Sequence, residues 1–272
     1  MTILEKCQRA YLAAWAYATG SFVWYALMAG SAWLVLYVLL KRRARRRKII
    51  PRLPTAGQQG WEIAHSVKSL LVIGSVAGVV AFLSMSGIKT RSYGRIDKYG
   101  WAWYVASFAV AVVVHDAYFY WTHRLLHHRL LFRRVHRLHH LSTNPTPWAA
   151  YCFSVGEAYV QAGIGPLLLY TMPLHYSVFA AFMTWQITFN VAGHCGFEIL
   201  PRWFVRTTAG RFLNTPTHHV MHHEKVGANY GLYFNWWDTL MGTNHAEYEE
   251  RFARVTAPEP RAGAPAPAPI PG

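Results

Sequence analysis

Charge is scarce in this chain of 272 residues. Asp, Glu, Lys and Arg make up 14% of it, and only 12 residues are acidic, where a soluble domain carries roughly 25% charged residues. With 53% hydrophobic residues, this composition excludes a disordered chain and argues against an ordinary soluble enzyme. Cysteine is also sparse. Cys7, Cys152 and Cys195 are odd in number and far apart, so they support no disulfide framework, Cys-based zinc finger or iron–sulfur cluster. No Gly-x-Gly-x-x-Gly run marks a flavin or nicotinamide site. The His-Glu-x-x-His pattern of zinc proteases fails, because Gly227 follows His223-Glu224 where the second histidine belongs. A carboxylate di-iron bundle needs two Glu-x-x-His pairs, and only Glu62 with His65 fits.

What the chain does have is long uncharged stretches. Ala10 to Leu40 carries no charge and would measure roughly 45 Å as a helix, more than the ~30 Å hydrocarbon core of a bilayer. It ends at Lys41–Lys48, where seven residues of eight are basic. That run supplies much of the net charge of +15. It lies beside a span rather than interleaved with aromatics on a soluble face, so it orients the chain with this end in the cytosol and does not indicate nucleic-acid binding. A signal peptide is the competing reading of the first stretch. Ser69–Ile88 and Tyr99 to about Val114, extending to Trp121, form two more spans. Ala158 to about Val191, broken near Pro173, forms a helical hairpin dipping into the membrane. Tracking these spans puts every histidine cluster on the cytosolic face. From Ala257 the chain is rich in Pro and Ala and is expected to be an extended tail.

The abundant residue is histidine, with 15 copies. His123 and His127 stand at i and i+4. His136, His139 and His140 stand at i, i+3 and i+4, as do His219, His222 and His223. Such positions share a helix face with Cβ atoms about 5–6 Å apart, so imidazoles from one helix can converge on a metal. With His194 the groups supply nine nitrogens, enough for two ions, and neutral imidazole suits Fe, Zn, Cu or Ni. His128, Asn190 and His218 are expected behind these ligands. His65, His175 and His245 are expected away from the site, and His115-Asp116 as an interfacial polar pair.

His123-Arg-Leu-Leu-His127-His128, His136-Arg-Leu-His139-His140 and His219-Val-Met-His222-His223 resemble the three histidine boxes of the fatty acid hydroxylase/sterol desaturase superfamily. Tyr120–Arg124, Asn144–Pro147, Asn229–Phe234, Trp237-Asp238 and Gly242-Thr243 are similar to the sterol C5-desaturase branch. The resemblance spans about Val114 to Thr243. The chain departs from that branch after Tyr151-Cys152-Phe153, where Ser154-Val155 replaces a usual His-Pro pair.

The resemblance implies an all-α, multi-pass transmembrane protein with a cytosolic, helical, His-rich metal cap. Its three parts are spans and a basic loop over 1–113, a catalytic domain over 114–245, and a disordered tail over 246–272. It implies two iron ions (zinc being a possible occupant of the isolated protein), O₂ as co-substrate, and oxidation of a lipid C–H bond. Sterol desaturation is the first expectation and fatty acyl or sphingoid hydroxylation the second. With no redox cofactor signature of its own, the chain is expected to take electrons from a ferredoxin or cytochrome b5 with its reductase. That donor would dock on Arg124, Arg129, Arg133, Arg134 and Arg137. The membrane is a bacterial inner membrane or the endoplasmic reticulum. The reading from another class is a membrane metal transporter or metal store, which would place ionisable residues in mid-span.

Overall fold

The computed structural model describes residues 1–258 and is helical throughout them, with only isolated bridges between extended residues. Three helices are long and apolar enough to cross a membrane, over residues 3–39, 56–85 and 100–126. The first, α1 (Ile3–Trp33), starts at a capping box. The Thr2 hydroxyl accepts from the Glu5 amide while the Glu5 carboxylate accepts from the Thr2 amide, satisfying two donors that a helix start leaves open. A π-helical stretch carries it on to Leu39. The second, α2 (Ala56–Met85), is capped by Thr55. It packs on α1 through glycines: a Cβ at Gly74 would come 2.6 Å from the Ala14 carbonyl oxygen, and one at Gly78 would come 2.9 Å from that of Ala10. Lipid provides no hydrophobic drive between helices, so close backbone approach at small residues is what holds such a pair.

The third, α3 (Gly100–Leu126), runs from the loop after α2 to the first histidine box. The expected hairpin consists of α5 (Val155–Ala162), α6 (Ile164–Thr171) and α7 (Tyr176–His194), counting the short α4 (Arg137–His140) before them. The break falls between Thr171 and Tyr176, around Pro173, and His175 caps α7 by accepting from the Ser177 amide. His175 therefore lies at the end of α7 remote from His194. Beyond the membrane helices come α8 (Pro216–Lys225), α9 (Trp236–Leu240) and α10 (Tyr248–Val255).

Two expectations need correction. The expected disordered tail over 246–272 starts too early, because α10 is folded. Tyr248 and Phe252 are buried against Met221, the Tyr248 hydroxyl bonds Thr215, and Arg251 pairs with Glu224 at 3.4 Å. One apolar pair at i, i+4 among Glu249, Glu250, Arg251 and Arg254 is enough to dock a two-turn helix, and the charge around it concealed the signal. The tail from residue 259 lies outside the described residues. The basic run, expected to orient the chain, also has a structural part. Lys48 is buried, bonds Asn144 Oδ1 at 2.7 Å and sits 5.2 Å from the Phe197 ring centroid. Burial lowers its pKa to about 8, and it ties the basic segment to the loop after the second box.

Candidate metal centre

Four segments bring the histidines together. The end of α3 gives His123, and His127 caps that helix. A π-helical turn, Phe132–His136, and α4 give His136, His139 and His140. α7 ends in His194, and α8 carries His219, His222 and His223. Thr215 caps α8 and Pro216 opens it, which fixes the start of the third box.

The nine side chains form two adjoining groups. One is His123, His127, His136, His140 and His222; the other is His139, His194, His219 and His223. In each group the ring nitrogens lie within 4.8 Å of one another, so each could hold a metal ion. Each His-x-x-His-His triplet divides between the two groups. Pairs at i and i+4 (123/127, 136/140, 219/223) stay together, while the i+3 residue (His139, His222) crosses to the neighbouring group. Helix geometry explains this. At about 100° per residue, i+4 is offset by about 40° and i+3 by about 60° in the opposite sense, so the third ring points to the other side. The groups touch: His139 and His223 have ring centroids 4.5 Å apart, while His140 and His223 are at 5.0 Å.

Hydrogen bonds at the far side of the rings fix which nitrogen faces inward. Nδ1–H of His123 donates to the Tyr230 carbonyl at 2.8 Å, that of His139 to Cys152 at 3.2 Å, that of His194 to Asn190 at 2.7 Å, and that of His222 to Ala228 at 2.7 Å. A carbonyl only accepts, so these four rings carry their proton on Nδ1 and present a bare Nε2. Yet His139 Nε2 lies 3.3 Å from His194 Nε2, two lone pairs facing each other. Protonation would not resolve this clash. Burial, and then the neighbouring imidazoles, push His136, His139, His219, His222 and His223 well below the ordinary histidine range, and His140 to about 3. A cation between the nitrogens removes the repulsion, and the donor set fits first-row metals.

Of the three residues expected behind the ligands, Asn190 is in place. Its carbonyl accepts from His194, and its Nδ2 donates to the Ala150 carbonyl. His218 is buried but belongs to neither group. Its Nε2 faces Asn244 Oδ1 at 3.3 Å and Asp238 Oδ2 at 3.6 Å. His128 corrects the expectation: it is exposed and caps the following turn, accepting from the Leu130 amide. The helix has ended at His127, and the extended backbone of His128 (φ −61°, ψ 139°) starts a new turn with its side chain outside.

Sequence reasoning missed the strongest support. Glu157 Oε1 accepts from His136 Nδ1 at 2.8 Å with both side chains 1% exposed. Burial raises its pKa well above the carboxylate range, and a cation on the far side of His136 would favour its charged form. The signal was available: Glu157 stands alone in an apolar stretch, where a carboxyl group needs a reason. Glu62, rejected as a ligand, is indeed elsewhere, accepting from Ser142, Thr146 and Gln58. His115-Asp116 is not an interfacial pair but a buried anchor. His115 Nδ1 meets the Tyr233 hydroxyl at 2.8 Å, and Asp116 accepts from the Tyr233 and Phe234 amides and Trp236 Nε1. Asp238 likewise holds the Tyr230 and Gly231 amides, so the carbonyl that orients His123 is itself fixed.

Below the histidines lies a small cavity of about 50 Å³ among α1, α2, α3, α5, α6 and α7. Its wall includes Phe119 and Phe153, whose rings lie 4.9 Å from His123 and 5.3 Å from His139. It shares Tyr17, Ser21, Tyr151 and Met183 with a groove of about 390 Å³ between α1 and α7. The histidine groups thus adjoin this cavity through the rings of Phe119 and Phe153.

Comparison with known proteins agrees with this arrangement. A sequence model described as fatty acid hydroxylase matches residues 108–243. The chain belongs to that family. A Delta(7)-sterol 5(6)-desaturase of Gibberella zeae is 36% identical over 158 residues, covering 58% of this chain and 47% of the relative. One from Aspergillus fumigatus is 31% identical over 227 residues, covering 74% and 67%. The lathosterol oxidase of Rattus norvegicus is 32% identical over 188 residues, covering 68% and 61%. The chain therefore spans between about half and two thirds of the length of these relatives, and its similarity lies in the sterol C5-desaturase branch. No solved structure matches it.

Proposed function

We propose that this chain is a membrane-bound, O₂-dependent di-iron oxidoreductase that desaturates a lipid, with a sterol as the favoured substrate. The observation that carries the reading is the pair of all-histidine groups packed against Phe119 and Phe153, two wall residues of a cavity between membrane helices. The nine ligands are His123, His127, His136, His140 and His222 for one ion and His139, His194, His219 and His223 for the other. When bound, two iron ions there would supply the reduction of O₂ and the oxidation of an unactivated C–H bond. The chain's own part is geometric. Backbone carbonyls of Tyr230, Cys152, Asn190 and Ala228 hold Nδ1 protons so that Nε2 points inward. Glu157 does the same for His136 and offsets positive charge. Phe119 and Phe153 shield the floor from water, and the α1–α7 groove admits the lipid sideways from the bilayer.

The basic run orients the centre to the cytosol. There Arg129, Arg133, Arg134 and Arg137 are exposed around the second box, and no acidic residue lies between Asp116 and Glu157. This is the face on which an acidic electron donor of the ferredoxin or cytochrome b5 type would dock. The transporter reading lacks support, since the histidines gather at one end of the spans instead of lining a path through them.

Lipid mass spectrometry of cells with the chain, without it, and with His139→Ala tests the reading. Loss of two hydrogens from a sterol, only with the intact chain, is expected. Addition of one oxygen to an acyl or sphingoid chain would shift the substrate to the second expectation. An unchanged lipid profile would reject lipid oxidation.

A further inference from the structure

We propose that the cavity beneath the histidines contains a hydrogen-bonding subsite, formed by Tyr17, Ser21, Gln161 and the Gln186–Tyr151 pair, that holds the hydroxyl group of the lipid substrate. This deepens the lipid-oxidising reading above and rests on it. All five side chains line the same cavity. They come from α1, α5, α7 and the short turn Pro147–Tyr151, so no single helix accounts for their meeting. They are polar groups among membrane helices, where water is not at hand to satisfy them.

The hydrogen bonds are incomplete. Gln186 Nε2 donates to the Tyr151 hydroxyl, which still has a proton to give. The side chains of Tyr17, Ser21 and Gln161 make no hydrogen bond within the described residues. These three side chains are partly buried and border the cavity, so a ligand that enters it can partner them. A cavity meant for a plain hydrocarbon chain is expected to be lined with Leu, Val and Phe at such places. A hydroxyl group both donates and accepts, so it can serve the Gln161 amide and a phenol at once. Among the remaining walls Leu70, Ile73, Ile164, Met183 and Leu232 are apolar, and His115 and Asn190 also border the cavity.

Depth agrees with this placement. Gln186 lies two turns before His194 on α7, and Gln161 one turn after Glu157 on α5. Both therefore stand on the membrane side of residues that contact the histidine groups. The ligand is thus an amphiphile whose polar end is recognised inside the protein, in the cavity that Tyr17 and Ser21 separate from the α1–α7 groove. Four hydrogen-bonding positions discriminate an alcohol from an analogue that lacks the O–H far better than apolar walls discriminate length.

The test is equilibrium binding to the iron-loaded full chain in nanodiscs, without O₂ so that nothing turns over. Two tritiated pairs serve as probes: a Δ7-sterol with its 3-methyl ether, and 1-octadecanol with its methyl ether. The subsite predicts that in at least one pair the alcohol binds about tenfold or more tighter than the ether. Gln161→Leu and Tyr17→Phe should abolish that preference by weakening the alcohol, and Ser21→Ala should reduce it, all with unchanged iron content. Equal binding of alcohol and ether, a preference that survives these variants, or binding of neither alcohol would overturn the proposal. A preference in the octadecanol pair alone would keep the subsite and reject the sterol as substrate, so the two failures are distinguishable.

Discussion

Removing the Glu157 carboxylate should weaken one metal position and spare the other. Glu157 Oε1 lies 2.8 Å from His136 Nδ1 in a site from which both side chains are excluded from solvent, and His136 belongs only to the five-histidine group. Partners of this kind typically contribute 10–100-fold to metal affinity, or about 1.4–2.7 kcal/mol. Glu157→Gln keeps an oxygen acceptor for Nδ1–H and loses only the charge, so it should fall at the lower end. Glu157→Leu also strands a buried donor, adding roughly 1–3 kcal/mol, and should leave that position empty at metal concentrations that still fill the other. The assay is chelator competition on the purified chain, read as metal per chain against free metal. Two equal steps in the native protein should separate for Glu157→Gln and reduce to one for Glu157→Leu. Helix content by circular dichroism should be unchanged, because Glu157 supports no membrane span. Equal weakening of both positions, or native affinity in both variants, would refute the assignment of this carboxylate to one ion.

Other outcomes follow from the same geometry. His194→Ala removes the ring that His139, His219 and His223 all approach within 3.1–3.3 Å, so metal content should fall by one ion or more, measured by elemental analysis. The metal-free protein should lose stability as pH falls. The buried histidines bind protons in the unfolded chain near 6.5 but not in the fold until about 3 for His140. Their contribution is therefore complete above 6.5 and declines below it by about 1.4 kcal/mol per pH unit for each such histidine, which denaturant titration at pH 7 and pH 5 will show. Gly74→Val should separate α1 from α2, since the new side chain meets the Ala14 carbonyl and Ala18 Cβ; overpacking of ~1–3 kcal/mol should appear as a lower Tm in detergent. Binding of an acidic electron donor should weaken as salt rises, and Arg133→Glu with Arg134→Glu should abolish that salt dependence.

The sequence made the membrane helices and the metal-site residues legible for different reasons. Long uncharged runs have no other stable home, so the three spans stood out, although the helices extend beyond the apolar windows into polar turns such as Ala56–Lys68. Histidine is rare enough that its spacing speaks directly, and all nine expected rings meet. Spacing could not say which ring goes to which group, because the division depends on how four helices face each other. It also could not assign His128 and His218, whose neighbours in sequence belong to the histidine groups but whose rings point elsewhere. The supports Glu157, Asp116 and Asp238 were hidden because each acts across 7 to 120 residues of chain. The cavity polarity was hidden too, since Tyr17, Gln161 and Gln186 look unremarkable until packing brings them together.

The most direct test of the central claim is product analysis with the purified iron-loaded chain in nanodiscs, given a chemical reductant, a Δ7-sterol and O₂. The account predicts a sterol that has lost two hydrogens, formed only when iron and O₂ are both present, and absent for His139→Ala. Sterol and acyl lipids that all remain unchanged, in a protein shown to hold two iron ions per chain, would contradict it.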